Sequence, residues 1–382
     1  MANSHTQSGI FWRPDLEDVV RRYQEWYAGD RNYLITVTPQ HWKSFNWDLH
    51  IDVPTSKPLE ECDFSDDQQL FDFLQHRLDQ YEIYWQSKTD WDLDDDFVPV
   101  FEPRLGWAEV VAPLVRDAEI RFYAQTSQME PVIEDYRTFD WDRIGFDRHS
   151  PSAGLLRKMN TWSQEKGRGR FLLQPRGSDS NPSDSAKACR GTGFFTDLVE
   201  HPQYVKRLLK LTAQAVIDSI EYQYSLLDGP TLGGFGTMWN GGFWTPGTTV
   251  GHMGDNVSDL VSGAMFEQFL LPHLQRMTQH FGGCVFCRDV TTRQVWPYLR
   301  RLGNVLMFQP RDMGDRKVRP KDVRDITLAT NKLRLGLQSS SYEDFAAQRT
   351  VAQELGIQVH FTFHCQNRNE AARAIEDVRK MR

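Results

Sequence analysis

Long apolar runs are missing from this sequence of 382 residues. A helix that crosses a bilayer needs about 20 consecutive apolar residues, so the sequence predicts no transmembrane segment. Residues 1–9 are polar and lack the basic and apolar regions of a secretory signal. Cysteine is also scarce, with five residues spread along the chain. That number and spread exclude a disulfide framework and favour a cytoplasmic location.

An excess of basic residues is missing as well. Lys and Arg number 44 against 52 Asp and Glu, which gives a formal net charge of −8. A protein that binds nucleic acid over a broad surface needs a basic face, so we expect no nucleic-acid partner. The glycine motifs of Rossmann and P-loop nucleotide sites are absent, and so is the Gly-x-Ser-x-Gly motif of serine hydrolases.

The first half of the sequence, to about residue 190, has an irregular pattern. Apolar residues recur at helical spacing over 14–29 and over 66–85, whereas "YLITVT" at 33–38 alternates as in a strand. The polar residues at 176–187 predict a loop. A second, acidic loop is predicted to be solvated, because its like charges repel: it contains Asp92, Asp94, Asp95 and Asp96.

From about residue 191 onwards, helical and strand patterns alternate. Helices are predicted from residue 202, over 263–280 with a kink at Pro272, and over 292–302, 341–355 and 368–382. The strand-like segments between them are "CVFCRD", "NVLMF", "KLRLGLQ" and "IQVHFTF". Such alternation is typical of a parallel sheet covered by helices.

The predicted fold class is therefore α/β, a (β/α)8 TIM barrel with an irregular N-terminal extension. We expect one domain over residues 1–382, in which residues 1–90 mostly form an extension packed on the barrel. Functional residues of such barrels lie at the C-terminal ends of the strands.

The segment "CVFCRD" carries the strongest candidate site. Side chains two residues apart share a strand face, so Cys287 and Asp289 point the same way and Cys284 points to the other face. Cys365 ends the last strand pattern and is expected at the same rim. Two thiolates and a carboxylate with an open fourth position are the pattern of a catalytic zinc. The alternative is that the cysteines are small buried residues and that Asp289 caps the next helix.

A glycine-rich, aromatic stretch before residue 257 supplies further candidates. His252, Asp255 and Asn256 are predicted as a catalytic or ligand-binding group, because histidine titrates near neutral pH. Hydrogen bonding within a turn is the alternative interpretation of the same residues. Four residues are predicted to contact the substrate, with core packing as the alternative: Trp239, Asn240, Trp244 and His364.

The segment "DNVSDLVSGAMFEQFLLPHLQRMTQHFGGCVFCRD" resembles the uroporphyrinogen decarboxylase superfamily. It has an acidic turn, a Leu-Pro within the helix, a Gly-Gly bend, and a strand that ends where members have His-x-Cys or His-x-Asp. "FVPVFEPRLG", "HCQNRNEAARAIEDVRK" and "VVRRYQEWYAGDRNYLITVT" are similar to other parts of the family. The Arg-Gln-Ala-Gly-Arg-Tyr motif of true uroporphyrinogen decarboxylases has no counterpart. The resemblance is therefore closer to the cobalamin-dependent methyltransferase-like and uncharacterised bacterial branches.

This resemblance implies a barrel with a cleft at its C-terminal rim and a zinc-dependent methyl or alkyl transfer. In the methyltransferases, zinc is bound by His-x-Cys and a distant Cys, and Cys287, Asp289 and Cys365 occupy those positions. No Asp-x-His-x-x-Gly corrinoid motif is present, so a corrinoid would be carried by a separate partner protein. The other expected partner is a small-molecule substrate, and a homodimer stays open.

Two other functions remain open. One is a decarboxylase or other lyase acting on a carboxylated substrate, with His252 and Asp255 handling the proton. The other is a barrel that binds a small ligand without turnover.

Overall fold

The computed structural model describes residues 11–40, 58–124, 126–174, 181–227, 243–247, 249–312 and 317–381. These residues contain twelve α-helices: α1 (Leu16–Ala28), α2 (Asp67–Trp91), α3 (Ala108–Val111), α4 (Pro151–Gly167), α5 (Pro182–Arg190), α6 (Gly193–Glu200), α7 (Pro202–Ser225), α8 (Gly263–Met265), α9 (Leu271–His280), α10 (Pro320–Ala329), α11 (Tyr342–Leu355) and α12 (Arg368–Arg379). They also contain ten strands: β1 (Tyr33–Pro39), β2 (Val100–Phe101), β3 (Ile120–Tyr123), β4 (Thr126–Met129), β5 (Leu172–Leu173), β6 (Val250–Gly254), β7 (Cys284–Asp289), β8 (Val305–Arg311), β9 (Leu335–Ser339) and β10 (Val359–Cys365).

Six parallel strands form the central sheet, in the order β1-β10-β9-β8-β7-β6. Strands β2 and β5 form a separate parallel pair, and β3 and β4 form an antiparallel pair. The predicted α/β class is confirmed, and the parallel strands alternating with helices are consistent with a TIM-barrel-like fold. Among the described residues the strand pairs do not join into a closed ring. Strand β1 lies at one edge of the central sheet, where it pairs with β10.

The outer face of the sheet packs against the helices that follow the strands. Phe361 and Phe363 of β10 contact the ring of Phe345 on α11, with centroids 5.5 and 5.1 Å apart. Phe286 of β7 belongs to the same core. This core buries the apolar stripes of the surrounding helices, which is the dominant stabilisation in such a fold.

The inner face has its own core, closed at the N-terminal end of the sheet by α1. Val285 of β7 and Met307 of β8 lie in this core with Tyr23 of α1. Trp26 of α1 donates a hydrogen bond to the carbonyl of Asn32, the residue before β1. Helix α1 therefore covers the N-terminal ends of the strands and leaves the C-terminal end for other residues.

The acidic segment after α2 was expected to be solvated, and for two of its residues this is wrong. Asp95 and Asp96 are buried and accept hydrogen bonds from the backbone N–H groups of Val37 and Ile35, at 3.0 and 2.8 Å. Positions 92 and 94 are exposed, as predicted. Burying two carboxylates is costly without partners, and cations surround them: Lys88 and Arg13 at Asp95, and Arg22 and Arg379 at Asp96.

Local departures from the predicted elements have physical causes. The segment Phe266–Leu270 is π-helical, because Pro272 lacks the N–H that would continue the α-helical hydrogen bonds. The helix predicted over 292–302 is a 3-10 helix, Trp296–Leu302. The loop predicted over 176–187 was wrong from residue 182, where α5 begins with an N-cap at Asn181. None of the described helices is both long and apolar enough to cross a membrane.

Candidate functional site

The inner face changes from apolar to polar along the strands. Side chains at i and i+2 share a strand face, so each inner row can be followed from one end of its strand to the other. The rows are Val285, Cys287 and Asp289 on β7, and Met307, Gln309 and Arg311 on β8. Polar side chains at the C-terminal ends of parallel strands are typical of ligand sites in α/β folds.

The neighbouring strands show the same arrangement. Strand β9 places Gln338 two residues after Gly336, and β10 places His364 four residues after His360. The ring of His360 hydrogen-bonds Tyr23 of α1 at 3.2 Å, which puts this row on the inner face. We call the following residues the inner-face site: Cys287, Asp289, Gln309, Arg311, Gln338 and His364.

Two pairs within the inner-face site are in contact. The Nε2 atoms of Gln338 and His364 lie 2.7 Å apart, so the amide fixes the orientation of the imidazole. The guanidinium of Arg311 lies 3.5 Å from Asp289, and these side chains are 13% and 15% exposed. The absence of a side chain at Gly336 makes room here, because a Cβ would lie 3.3 Å from the Cγ of Gln309.

Cys287 is fully buried within this site. Burial raises the pKa of its thiol, and the nearby guanidiniums of Arg311 and Arg288 oppose that shift only partly. The thiol is therefore protonated at neutral pH. A thiol in this state is a poor nucleophile.

Cys365, the third predicted zinc ligand, does not join Cys287 and Asp289. Its row on β10 is that of Phe361 and Phe363, which faces the outer helices, and its thiol donates a hydrogen bond to the carbonyl of Thr38 at 3.4 Å. Within the described ranges, no group of three or more His, Cys, Asp or Glu side chains is arranged to hold a metal ion. Cys365 directly follows His364, so the two side chains point to opposite faces of β10. The prediction that Cys365 lies beside Cys287 and Asp289 was therefore wrong. These residues do not fit a zinc site.

The predicted catalytic group around His252 is placed only in part. Asp255 is fully buried, and its Oδ1 accepts hydrogen bonds from the hydroxyl of Ser183 at 2.7 Å and from the N–H of Ser258 at 3.3 Å. Burial and the neighbouring Asp184 raise the pKa of Asp255 to about 7. His252 has its backbone in β6, and its side chain lies outside the described part of the chain.

Asn256 is also tied to its neighbours. Its amide donates to Asp184 at 3.0 Å and its carbonyl oxygen accepts from Arg288 at 3.1 Å. Asp255 and Asn256 thus make hydrogen bonds within a turn and to its neighbours, which was the alternative interpretation.

The predicted aromatic wall is not part of the inner-face site. Trp244 packs against Tyr23 and Tyr27 of α1, with ring centroids 6.4 and 6.3 Å apart, at the N-terminal end of the sheet. The structure thus places Trp244 in core packing, which was the alternative interpretation, and apart from the inner-face site. Trp239 and Asn240 lie outside the described residues.

Sequence reasoning missed Gln309, Arg311 and Gln338. The sequences of both strands carried a signal. In "VLMFQPR" every second residue from Met307 gives Gln309 and Arg311, and in "LGLQ" the second residue after Gly336 is Gln338, so each inner row ends at a polar residue. His364 was predicted to contact substrate, and the structure places it in the inner-face site.

A solved structure of a methyltransferase from Methanosarcina mazei is similar to this chain. The TM-score is 0.53 at 14% sequence identity, and the similarity covers 94% of this chain and 98% of that chain. At this identity the likeness shows a shared fold. No protein-family model and no curated protein sequence matches the chain.

Proposed function

We propose that this protein is a methyl or alkyl transferase whose small-molecule acceptor binds at the inner-face site. The observation that carries the proposal is the polar C-terminal end of the inner face, with Arg311 and Asp289 side by side. The full-length likeness in fold to a methyltransferase supports it. The donor is a methylated small molecule or a methyl-corrinoid carried by a separate protein, as the family resemblance implies.

In the proposed reaction, the lone pair of an acceptor thiol, amine or hydroxyl attacks the methyl carbon. The bond from that carbon to the donor breaks, and its electron pair stays on the donor. The acceptor's proton passes to the carboxylate of Asp289, and Arg311 holds that carboxylate in place. His364, oriented by Gln338, donates or accepts a hydrogen bond at the acceptor. No step passes through zinc, because its predicted ligands do not come together.

Methyl transfer can be measured with isotope-labelled methyl groups and mass spectrometry of the acceptor. The donors are methylcobalamin and a panel of methylated amines, ethers and sulfonium compounds, and the acceptors are small thiols, amines and alcohols. A general base contributes roughly 10²–10⁴ to a rate. We therefore expect Asp289→Asn to lower kcat by about 100-fold or more.

The matched control is Asp325→Asn on α10, where the carboxylate pairs with Arg293 on the surface. This variant should retain the wild-type rate. The proposal is wrong if no donor and acceptor pair reacts faster than in buffer, or if both variants react alike.

A lyase acting on a carboxylated substrate is the second candidate, and the position of Arg311 favours it. A guanidinium at the inner-face site can bind a substrate carboxylate through paired hydrogen bonds. The position of Asp255, which is fully buried, does not support a lyase in which His252 and Asp255 handle the proton. Release of CO₂ from carboxylic acids without any methyl donor would favour the lyase over the transferase.

A further inference from the structure

The two glutamines of the inner-face site differ in their hydrogen bonding. The amide of Gln338 bonds the ring of His364. Gln309 is only 1% exposed, and no donor in the described part of the chain lies within hydrogen-bond distance of its Oε1. A buried carbonyl oxygen without a donor destabilises a folded protein. The carboxamide of Gln309 is therefore a buried acceptor that a ligand can satisfy.

The side chain of Gln309 lies on the inner face, against β9. A Cβ at Gly336 would lie 3.3 Å from the Cγ of Gln309 and 3.1 Å from the Sδ of Met307, so both side chains lie over this glycine. The next residue in the same row of β8 is Arg311, whose side chain is 13% exposed. The row thus leads from buried Gln309 outwards to the C-terminal rim, and a ligand reaches the carboxamide from that rim.

A second hydrogen-bond acceptor lies beside this carboxamide on β7. Gln309 pairs in register with Cys287, and Asp289 lies two residues further along the same face. Neighbouring strands are about 4.8 Å apart and two residues advance about 6.6 Å, so the Cα atoms of Gln309 and Asp289 lie about 8 Å apart. Arg311 contacts Oδ1 of Asp289, and a carboxylate accepts hydrogen bonds at both oxygens. A small group between the two side chains can therefore bond both.

The number of donor hydrogens identifies that group. A group that bonds two acceptors at once needs at least two hydrogens to donate. A primary amine has two N–H donors and its ammonium form has three, whereas a hydroxyl or a thiol has one, and the thiol is a weak donor. A hydrogen bond from an ammonium to a carboxylate is also about twice as strong as one between neutral groups. The pair of acceptors therefore matches nitrogen better than oxygen or sulfur.

We infer that Gln309 is a specificity-determining residue, which accepts a hydrogen bond from a small primary amine held between Gln309 and Asp289. The substrate class of the inner-face site is accordingly a small amine. That this amine is the acceptor of the methyl group rests on the proposed function, whereas its binding does not.

Binding is measured by NMR titration of the full chain with propylamine, propanol and propanethiol, at pH 7 in phosphate buffer without any methyl donor. We expect wild type to bind propylamine about tenfold or more tightly than the other two probes. Gln309→Met keeps nearly the same shape and removes the acceptor oxygen. This variant should bind propylamine about tenfold or more weakly, the usual effect of losing a hydrogen bond to a charged group, and should bind propanethiol within about threefold of wild type.

The matched control is Gln358→Met, at the N-terminal end of the sheet. The amide of Gln358 donates to the carbonyls of Trp26 and Arg31, at 2.6 and 2.8 Å. Losing these bonds should lower the unfolding temperature and leave propylamine binding unchanged. Gln309→Met should instead unfold at or above the wild-type temperature, because it removes a buried acceptor that has no donor among the described residues. The two variants therefore have opposite signatures.

The inference is refuted if propylamine does not bind wild type, or if folded Gln309→Met binds it as tightly. If Gln309→Met does not fold, Gln309→Glu decides the question: it keeps an acceptor oxygen and should bind propylamine at least as tightly as wild type, and weaker binding refutes the inference. Propylamine binding without transfer to any acceptor would overturn the proposed function and retain this site. Methyl transfer to a thiol without amine binding would do the reverse.

Discussion

Replacing Asp255 by Asn should stabilise the protein at alkaline pH. The carboxyl of Asp255 is fully buried beside Asp184, and these surroundings raise its pKa from 3.8 to about 7. A raised pKa means that the folded state holds the proton more tightly than the unfolded state. Stability from this group is complete below about pH 4 and is lost as the pH rises to about 7.

The size of this effect follows from the shift. Each pKa unit corresponds to about 1.4 kcal/mol, so ionising Asp255 inside the fold costs up to about 4 kcal/mol. About 3 kcal/mol of this is lost between pH 5 and pH 8. Asn keeps the acceptor that Ser183 and Ser258 use and carries no charge. The advantage of Asp255→Asn over wild type should therefore grow by roughly 3 kcal/mol between these two pH values.

Urea unfolding of both proteins at pH 5 and pH 8 measures this difference. Asp184→Asn is the matched comparison, because Asp184 accepts hydrogen bonds from the N–H groups of Asn256 and Val257. An amide there brings donors against donors, so at pH 5 this variant should be about 1–3 kcal/mol less stable than wild type, whereas Asp255→Asn should not be. An Asp255→Asn advantage that does not change with pH, or equal effects of the two variants, would refute the reasoning.

Two further predictions concern the zinc ligands and the loop after β2. Cys365→Ser should leave the zinc content of tag-free protein unchanged in elemental analysis, because Cys365 faces the outer helices; loss of about one zinc per chain would contradict the structure. Gly106→Ala should lower the free energy of unfolding by about 2 kcal/mol or more, because its Cβ would clash with the backbone of Ser127. Gly154→Ala on α4 has open space around its Cβ and should instead gain about 0.5–1 kcal/mol. Thermal unfolding distinguishes these two, and a neutral Gly106→Ala would contradict the close approach.

Strands β7 to β10 were predictable because each is bounded by helical patterns of a different period, whereas β6 was not predicted as a strand. "VHFTFHC" alternates along its whole length, so its faces follow from parity alone. Parity also indicates that His364, and not Cys365, shares the row of His360. The zinc prediction placed Cys365 at the inner rim because Cys365 ends the strand, although parity puts its side chain on the outer face.

The burial of Asp95 and Asp96 was not predictable in the same way. Their cations come from positions 13, 22, 88 and 379, which are brought together only by the folded chain. Considered without the rest of the chain, a run of aspartates predicts a solvated loop, because mutual repulsion is the only interaction that the neighbouring residues indicate.

The pairing of β1 with β10 has a consequence for how the chain is made. Tyr33 pairs with Val359 and Pro39 with Cys365, so the contact joins segments more than 300 residues apart. During synthesis, β1 is exposed long before β10 emerges from the ribosome, and long-range pairing of this kind folds slowly. Asp95 and Asp96 are translated much earlier than β10 and bond the other edge of β1. In the folded protein these bonds occupy the edge of β1 that faces away from β10, so that edge is closed to pairing with other chains.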